Sequence, residues 1–596
     1  MEEAKSEPIT NPFPTVTSLK PTLGSPLKRH ISPKSLPTLP SLSSPKSSSK
    51  LPSSPPSLPS LTSRKKIVLP RNNLSYYYYE IQEESNILYL FGKLDKSSIV
   101  VKVSDAPKYF YIEAAQDDEI NALLTCFLNT IFKNFSITSV FKRNCFGEAN
   151  LGNTAPRHYY KVSYVPTTDF KRSFSLPSTP KEFGELYTKF SESESLPFVN
   201  IHGLSYSLTE LFLLDKGIKG PCWLTVSNLT QGKGAVGDTS LVTSSFSDVS
   251  IANTQPTPPT LSAAFLSFRS VLDNQSNHIP LLFSVIYYPN VAVPEPDFTK
   301  SAVFIRPLVS RDCKQTIDAG KIRSNLNSIQ TLRHSGVKFI VCNGESELIG
   351  NMIDLVSTLD PDMIAGHALI DFLLPILGER IVKLTAGLKK HLPWFKFGRL
   401  IRQQSEIKKS YDRSRKLTSG RLILDTIMGA REFLTRSRSF DLTELSALLF
   451  KESRGPSDSD STIKSFMTSD GLRKLCIASI NDSTMSYRIA AHLNLISLTN
   501  ELSSLTGAPW GDVLLLGRSR RIEWLLLHTF HRDYVVPDRL TQKQKKQEKD
   551  EDETTTSKRQ PTYAGGLVLE PKRGLYTSCI LVLDFLSLYP SIIRGV

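Results

Sequence analysis

Cysteine is scarce in this chain, and its arrangement excludes two classes of protein. The seven cysteines among 596 residues are scattered singly, with no C-x-x-C pair. Neither a disulfide framework nor a zinc site is therefore indicated. No apolar stretch approaches the roughly 18 residues of a membrane span, and no signal-peptide pattern opens the sequence. These absences predict a soluble protein that is not secreted, in a compartment that keeps thiols reduced, such as the cytosol or the nucleus.

Acidic residues are also in deficit. The chain has 57 Asp and Glu against 72 Lys and Arg, a formal net charge of +15, which favours a polyanionic partner without identifying it. Thirteen of the basic residues and only three acids lie in the segment 378–421. Such a run either binds nucleic acid or forms a solvated surface, and the sequence leaves both interpretations open.

Composition sets apart an N-terminal tail. Residues 1–66 contain 16 Ser and 13 Pro, with ten Lys and Arg against three acids, and such a segment cannot bury enough apolar surface to fold. We therefore predict a disordered basic tail. Ser25, Ser32 and Ser44 each precede Pro and a nearby Lys, which suits proline-directed kinases, and phosphorylation would reverse the local charge.

An α+β domain is predicted after the tail, over residues 67–230. A Ser/Thr/Gly/Pro-rich linker is predicted over 231–260. Within the domain, the turn 217–222 leads into a buried strand anchored by Trp223. The β-branched and aromatic runs predict strands, and the amphipathic runs predict helices: strands at 76–81, 87–93, 98–103 and 159–164, and helices at 120–132 and 208–214.

Strands alternate with helices in residues 261–540, which predicts an α/β domain with a mixed sheet. A charged linker is predicted over 541–560, before a last segment at 561–596. The elements predicted in the α/β domain are strands at 263–270, 281–287, 301–305 and 363–366, and helices at 346–359 and 518–531.

An apolar run that ends on Asp584 is the most informative stretch of the sequence. Residues 579–583 predict a buried strand that would fix Asp584 at its exit, and Pro590 suits the first turn of a following helix. The backbone N–H groups of residues 585–589 are then free to face a triphosphate, beside a carboxylate that can hold Mg²⁺. The alternative is a strand whose Asp only caps the next helix.

Residues 584–593 read Asp-Phe-Leu-Ser-Leu-Tyr-Pro-Ser-Ile-Ile and resemble the first polymerase motif of the family B DNA polymerases. The resemblance implies that Asp584 and the backbone of Phe585 bind two catalytic Mg²⁺ ions for phosphoryl transfer. Residues 561–596 would begin the palm domain. The resemblance also predicts that Ser587 and Leu588 bind the nucleotide in the triphosphate turn. Tyr589 would bind the nucleotide as a barrier to the ribose 2′-OH.

The same resemblance predicts that the second catalytic carboxylate, the fingers and the thumb lie beyond residue 596. We therefore expect this chain alone not to polymerise.

A second element resembles the Tyr-x-Gly-Gly segment with which the family contacts the template strand. Tyr563 offers a stacking face, while Gly565 and Gly566 allow a close backbone approach. Lys572 and Arg573 would contact phosphates and position the duplex. A Gly-Gly turn without a role in DNA binding is the alternative.

Residues 261–540 resemble the family's RNase H-like 3′–5′ exonuclease domain without its acids. The working site needs four carboxylates, because two adjacent Mg²⁺ ions require dense negative oxygen ligands. Ser267 and Arg269 stand where Asp-x-Glu belongs, Leu373 stands at the second Asp, and Asp482 alone survives. A guanidinium cannot be deprotonated in a protein, so an inactive exonuclease is predicted.

Asp371 lies two residues from Leu373, but it is not expected to replace the missing acid. If this stretch is helical, the two side chains point to different faces.

Several stretches resemble the alpha-type members of the family, which have also lost the exonuclease acids: 88–93, 219–224, 392–400, 420–425, 517–528 and 534–538. The resemblance implies a nuclear replicative polymerase that extends RNA–DNA primers on a DNA template with deoxynucleoside triphosphates, without proofreading. Primase and an accessory B-type subunit would be partners. The alternatives are a proofreading family B polymerase of another type and a non-catalytic DNA-binding or scaffold protein.

Overall fold

The computed structural model describes the following residues: 73–144, 155–169, 180–191, 197–273, 275–291, 300–308, 318–327, 337–387, 392–403, 413–434, 437, 439–454, 459–536, 538–539 and 574–595. The tail, the linker at 541–560 and the five DNA-contact residues from Tyr563 to Arg573 lie outside these residues, so the expectations for them stay predictions. None of the helices in the described ranges is long and apolar enough to cross a membrane.

A seven-stranded sheet forms the first layer, and the apolar residues of its central strands are buried on both faces, in two separate core clusters. Ser85 and Asn86 both have positive φ, as the tight turn of the first hairpin requires. Gly92 leaves no room for a side chain, since a Cβ there would lie 2.3 Å from the carbonyl oxygen of Tyr77. The strand order is β11–β8–β1–β2–β3–β10–β9: β1 (Asn73–Glu84), β2 (Ile87–Leu94), β3 (Ser97–Val103), β8 (Cys222–Ser227), β9 (Thr230–Gln231), β10 (Ser240–Ser244) and β11 (Val249–Ile251).

Four strands between β3 and β8 form a split βαβ unit, and β18 joins them from the far end of the region to complete a five-stranded sheet. One face packs on its two helices, and the other face, rich in tyrosine, is covered by a helix at Leu208–Lys216 and by residues 527–536. The strand order is β18–β5–β6–β4–β7: β4 (Lys108–Glu113), β5 (Ser136–Asn144), β6 (Arg157–Tyr164), β7 (Asn200–His202) and β18 (Tyr534–Val535).

A mixed six-stranded sheet forms the core of the nuclease-like region. Its central strands are buried on both faces, which explains their nearly continuous apolar sequence. The order is β15–β14–β13–β12–β16–β17: β12 (Ala263–Leu272), β13 (His278–Tyr288), β14 (Lys300–Ile305), β15 (Val337–Val341), β16 (Met363–Gly366) and β17 (Leu422–Asp425).

Helices cover these sheets, and their ends follow local capping chemistry. The third helix begins with a capping box between Ser207 and Glu210 and ends at Gly217, whose φ of 65° suits glycine. A π-helix (Leu369–Leu373) and a 3₁₀ helix (Trp394–Phe397) interrupt the series.

The α-helices, numbered along the chain, are α1 (Asp118–Ile131), α2 (Pro180–Ser191), α3 (Leu208–Lys216), α4 (Ala319–Asn327), α5 (Glu345–Leu359), α6 (Leu374–Gly387), α7 (Arg413–Leu417), α8 (Thr426–Phe433), α9 (Leu442–Phe450), α10 (Ser459–Phe466), α11 (Ser469–His492), α12 (Leu495–Thr506), α13 (Trp510–Leu515), α14 (Arg518–Phe530) and α15 (Leu588–Gly595).

The strands and helices predicted in both folded regions form at the predicted places, with ends shifted by a few residues. The expectation of a linker over 231–260 is wrong. β10 pairs with β3 and β11 pairs with β8, because neighbouring strands satisfy the backbone of this Ser/Thr-rich stretch.

The end of the predicted α/β domain also departs from expectation. Ala508, Val513 and Trp524 belong to the core of the first sheet, and β18 pairs with β5. The chain therefore returns to the N-terminal sheets before residue 540.

Candidate functional site

The polymerase-like segment is described over residues 574–595, and it is exposed at residues 574–592 and at Arg594. The strand predicted at 579–583 does not form. A strand needs a neighbour for its backbone N–H and C=O groups, and no strand in the described ranges pairs with this segment. Leu583 and Phe585, on either side of Asp584, are 82% and 77% exposed. The expectation that a buried strand fixes Asp584 is therefore wrong for this structure.

The helix after Asp584 forms as predicted. Ser587 has a φ of 53°, and its carbonyl oxygen accepts from the N–H of Ser591 at 2.9 Å. Pro590 lies in the first turn of α15, where no N–H is required. The first N–H groups of α15 have no acceptor within the helix, and the ring of Tyr589 is 78% exposed. This arrangement leaves the turn open to an anion.

The described residues do not by themselves complete a metal site around Asp584. No group of three His, Cys, Asp or Glu side chains in the described part of the chain could hold a metal ion. Asp584 supplies the hard oxygen that Mg²⁺ prefers, so its chemistry fits one ligand of a shared site.

The degenerate nuclease positions meet between β12 and α11. The Nη2 atom of Arg269 donates to the Oδ2 atom of Asp482 in a buried ion pair. Ser267 Oγ lies 2.9 Å from Ser479 Oγ and donates to the Ser479 carbonyl oxygen at 2.8 Å. Ser284 joins the same hydroxyl network at 2.9 Å from Ser267. Hydroxyls and a guanidinium thus fill the place where the sequence resemblance predicts the exonuclease acids.

A second arginine, which the motifs do not include, also binds Asp482. Arg454 follows α9, and its Nε atom donates to Asp482 Oδ1 at 2.6 Å while its Nη2 atom donates to Oδ2 at 2.9 Å. No sequence signal could have identified Arg454, because its position depends on how α9 and α11 pack.

Leu373 and Asp371 point in different directions, as predicted for a helical stretch. Leu373 is 2% exposed and lies in the main core of the nuclease-like region. The Asp371 side chain is 61% exposed and faces Arg431 at 3.7 Å. Asp371 therefore does not replace the missing acid.

The buried carboxylate of Asp425 accepts hydrogen bonds from the backbone. Asp425 accepts from the N–H groups of Ala368, Ile370 and Ile427 at 3.0–3.1 Å, and so caps both the π-helix and α8. Burial raises the pKa of Asp425 in spite of these bonds. Its oxygens are committed to the fold.

Burial, and then the charge of Arg454, lower the pKa of His367 to about 4, although the charges of Asp441 and Asp482 act in the opposite direction. This imidazole is therefore neutral at neutral pH, and its Nδ1 atom lies 2.8 Å from the hydroxyl of Thr426. A neutral ring thus lies within reach of the charge of Arg454.

The basic segment 378–421 is engaged in ion pairs within the protein. Arg399 and Arg421 are buried, so they belong neither to a solvated face nor to a free DNA-binding surface. All eight basic side chains of the segment that the structure describes form ion pairs: Arg380 with Glu345, Lys383 with Glu379, Lys396 with Asp354, Arg399 with Asp360 and Asp362, Arg402 and Lys416 with Glu84, Arg415 with Asp512, and Arg421 with Asp360.

Arg399 lies at the centre of a buried ionic cluster that joins the two larger sheets. Lys93 of β2 binds Asp362 at 2.5 Å, and Asp362 binds Arg399 at 3.0 Å. Arg399 also contacts the hydroxyl of Tyr79 in β1 and Asp360 at 3.0 Å. Three of the stretches that resemble alpha-type polymerases (88–93, 392–400 and 420–425) therefore meet at one interface.

Comparison with known proteins gives matches to part of the nuclease-like region and to the C-terminal segment. The model of DNA polymerase family B matches residues 508–596, and the model of the family B exonuclease domain matches residues 308–445. The solved family B DNA polymerase of the hyperthermophilic archaeon Pyrobaculum calidifontis aligns with a TM-score of 0.56 and 17% identity, over 84% of this chain and 54% of that one, a likeness of fold. The chain belongs to the family B DNA polymerases.

Within this family, the relatives are catalytic subunits of DNA polymerase alpha. The Trypanosoma brucei brucei subunit is 30% identical over 71% of this chain and 32% of its own length. The Dictyostelium discoideum subunit is 32% identical over 66% of this chain and 25% of its own length, and the Mus musculus subunit is 31% identical over 67% and 27%. The chain thus spans between a quarter and a third of these relatives.

Proposed function

We propose that this chain is the N-terminal portion of an alpha-type DNA-directed DNA polymerase, which adds deoxynucleotides to an RNA–DNA primer on a DNA template. The observation that carries the proposal is the segment 584–589. It joins a carboxylate, an open turn and an exposed tyrosine at the start of a helix, inside the region that the family B model matches.

The chemistry assigned to this segment is metal-assisted phosphoryl transfer. The chemistry that two bound Mg²⁺ ions would supply is activation of the primer 3′-hydroxyl and stabilisation of the leaving pyrophosphate. Asp584 and the backbone of Phe585 would hold them, together with ligands outside the described residues. The N–H groups at the start of α15, near Ser587 and Leu588, would bind the triphosphate.

Tyr589 is assigned the selection of the sugar. Its exposed ring at the start of α15 can lie under the sugar of a nucleotide whose phosphates occupy the turn. A 2′-hydroxyl would then collide with the ring, so deoxynucleotides would be preferred.

The remaining roles come from the family resemblance and extend the same proposal. Tyr563, Gly565 and Gly566 would contact the template, and Lys572 and Arg573 would contact phosphates. Primase and an accessory B-type subunit would be partners, and the enzyme would act in the nucleus.

The proposal includes the absence of proofreading. Ser267, Arg269 and Leu373 offer no metal ligand at three of the four carboxylate positions, and two arginines occupy both oxygens of Asp482. Excision of mismatched 3′ ends by the wild-type enzyme, abolished by Asp482→Ala, would establish the proofreading alternative instead.

The experiment is primer extension by the protein encoded by the complete gene. Asp584→Asn should lower the rate on the order of 10³-fold, because electrostatic stabilisation of the transition state is lost. Asp371→Asn, an exposed carboxylate in the nuclease-like region, is the matched control and should extend primers normally. Normal extension by Asp584→Asn would overturn the assignment. No extension by the wild type would leave a non-catalytic DNA-binding role.

A further inference from the structure

The nuclease fold implies two divalent metal ions in the pocket between β12 and α11, but the residues there do not fit them. Of the four carboxylate positions, only Asp482 keeps an acid. Its two oxygens are bound by Arg269 and Arg454, so the directions in which a carboxylate coordinates a cation are already filled.

The three residues come from separate parts of the fold. Arg269 lies on β12, Asp482 on α11, and Arg454 on the irregular segment that follows α9. Arg269 and Asp482 are 5% and 6% exposed, and the Arg454 side chain is 19% exposed. The cluster therefore connects three elements in a place shielded from water.

The charges at this pocket favour such an arrangement. A buried carboxylate without a cation is strongly unfavourable, and so is a buried guanidinium without an anion. The planar guanidinium suits a carboxylate in two-pronged geometry, which Arg454 adopts with both oxygens of Asp482. Beside it, the hydroxyls of Ser267, Ser284, Ser479 and Ser483 satisfy one another.

We propose that Arg269 and Arg454 have taken the place of the divalent cations, with Asp482 as their shared counterion, and that Arg454 is a second barrier to metal binding in this pocket. On this view Asp482 is kept because the arginines need it. Restoring the lost acids would not restore a metal site while Arg454 remains. The inference concerns the nuclease-like pocket and does not depend on the proposed polymerase chemistry.

The first test removes charges in turn and follows the unfolding temperature of the full chain. Arg269→Met/Arg454→Met should lower it by at least about 5 °C, because Asp482 is left buried without a cation. Adding Asp482→Asn should recover most of the loss, since a neutral amide needs no cation. A further fall on adding Asp482→Asn would overturn the counterion role, because side chains that only pack would add their losses.

The second test follows the unfolding temperature in Mn²⁺. Ser267→Asp/Arg269→Glu restores two acids beside Asp482, and the same variant with Arg454→Ala removes the second barrier. Only the variant without Arg454 should gain about 3–6 °C in unfolding temperature in Mn²⁺. If that variant folds only when Mn²⁺ is present, this result would equally support the role of Arg454 as a barrier. A response already present with Arg454 in place, or in neither variant, would overturn that role. Both variants keep Asp584, so any Mn²⁺ binding at Asp584 shifts the unfolding temperature of both equally and does not affect the comparison.

Discussion

The segment 574–595 and the nuclease-like region differ in how their predicted functional residues relate to the packed core. The first keeps a functional sequence but is exposed, with Leu586 91% in contact with solvent. The second keeps a dense core and a complete sheet, but the family resemblance predicts that it lacks three of the four exonuclease acids. A scaffold and its chemistry can therefore be retained separately.

The physical difference lies in what each carboxylate does. Asp482, Asp362 and Asp425 are buried and satisfied by arginine, lysine or backbone N–H groups. Asp584 lies in an exposed segment without regular structure, just before a turn. Changes in the buried region should therefore alter stability, and changes in the exposed segment should alter nucleotide chemistry without altering stability.

The largest effect on stability is expected from substitution of Arg399 in the buried region. Arg399→Met leaves Asp360 and Asp362 with fewer cations and should lower the free energy of unfolding by about 3–5 kcal/mol, measured by denaturant titration. Lys383→Met is the control from the same basic segment, because its pair with Glu379 is about half exposed and should change stability by less than about 0.5 kcal/mol. Equal effects would show that burial does not distinguish these ion pairs.

The buried carboxyl group of Glu80 should make the stability of the protein depend on pH, which an exposed carboxyl group would not do. Burial, and then the charge of Asp512, raise the pKa of Glu80 from 4.5 to about 8. The folded state therefore holds a proton that the unfolded state releases above about pH 4.5, so stability falls as pH rises from there to about 8, by about 1.4 kcal/mol per pH unit.

Glu80→Gln should remove this pH dependence, so that the free energy of unfolding of the variant rises relative to that of the wild type as pH rises. Denaturant titration at pH 5, 6, 7 and 8 measures both. Glu83→Gln, at an exposed neighbour, is the control. Parallel pH profiles for Glu80→Gln and the wild type would contradict the prediction.

A smaller change is expected on the exposed side at Tyr589. Tyr589→Ala in the complete enzyme should raise the use of ribonucleotides relative to deoxynucleotides, roughly 10- to 200-fold, because the ring no longer meets the 2′-hydroxyl. The unfolding temperature should not change, since the ring is exposed. Tyr589→Phe keeps the ring and should keep the preference. Unchanged selection by Tyr589→Ala would remove this residue from the nucleotide site.

The sequence predicted the elements whose signals are local. The apolar run at 301–305 became β14 (Lys300–Ile305), and the helix expected at 346–359 became α5. The strands at 240–244 and 249–251 were missed because they depend on pairing with β3 and β8. The strand at 579–583 was expected from composition but lacks a pairing strand in the described residues.

The sites follow the same rule. Arg269 facing Asp482 could be anticipated, because both belong to known motifs with fixed places in the fold. Arg454 and the cluster around Arg399 could not, because nothing in the sequence shows which acids distant basic residues will meet. Ion pairs between separate segments are products of tertiary packing.

The smallest expected effect lies at Asp371, an exposed acid two residues from Leu373. Its pair with Arg431 spans 3.7 Å, and both side chains are more than half exposed, so solvent screens it. Asp371→Asn should therefore change the free energy of unfolding by less than about 0.5 kcal/mol and leave primer extension and the response to Mn²⁺ as in the wild type. Loss of a Mn²⁺ response in this variant would instead make Asp371 a metal ligand, and the nuclease-like pocket would then have kept part of its chemistry.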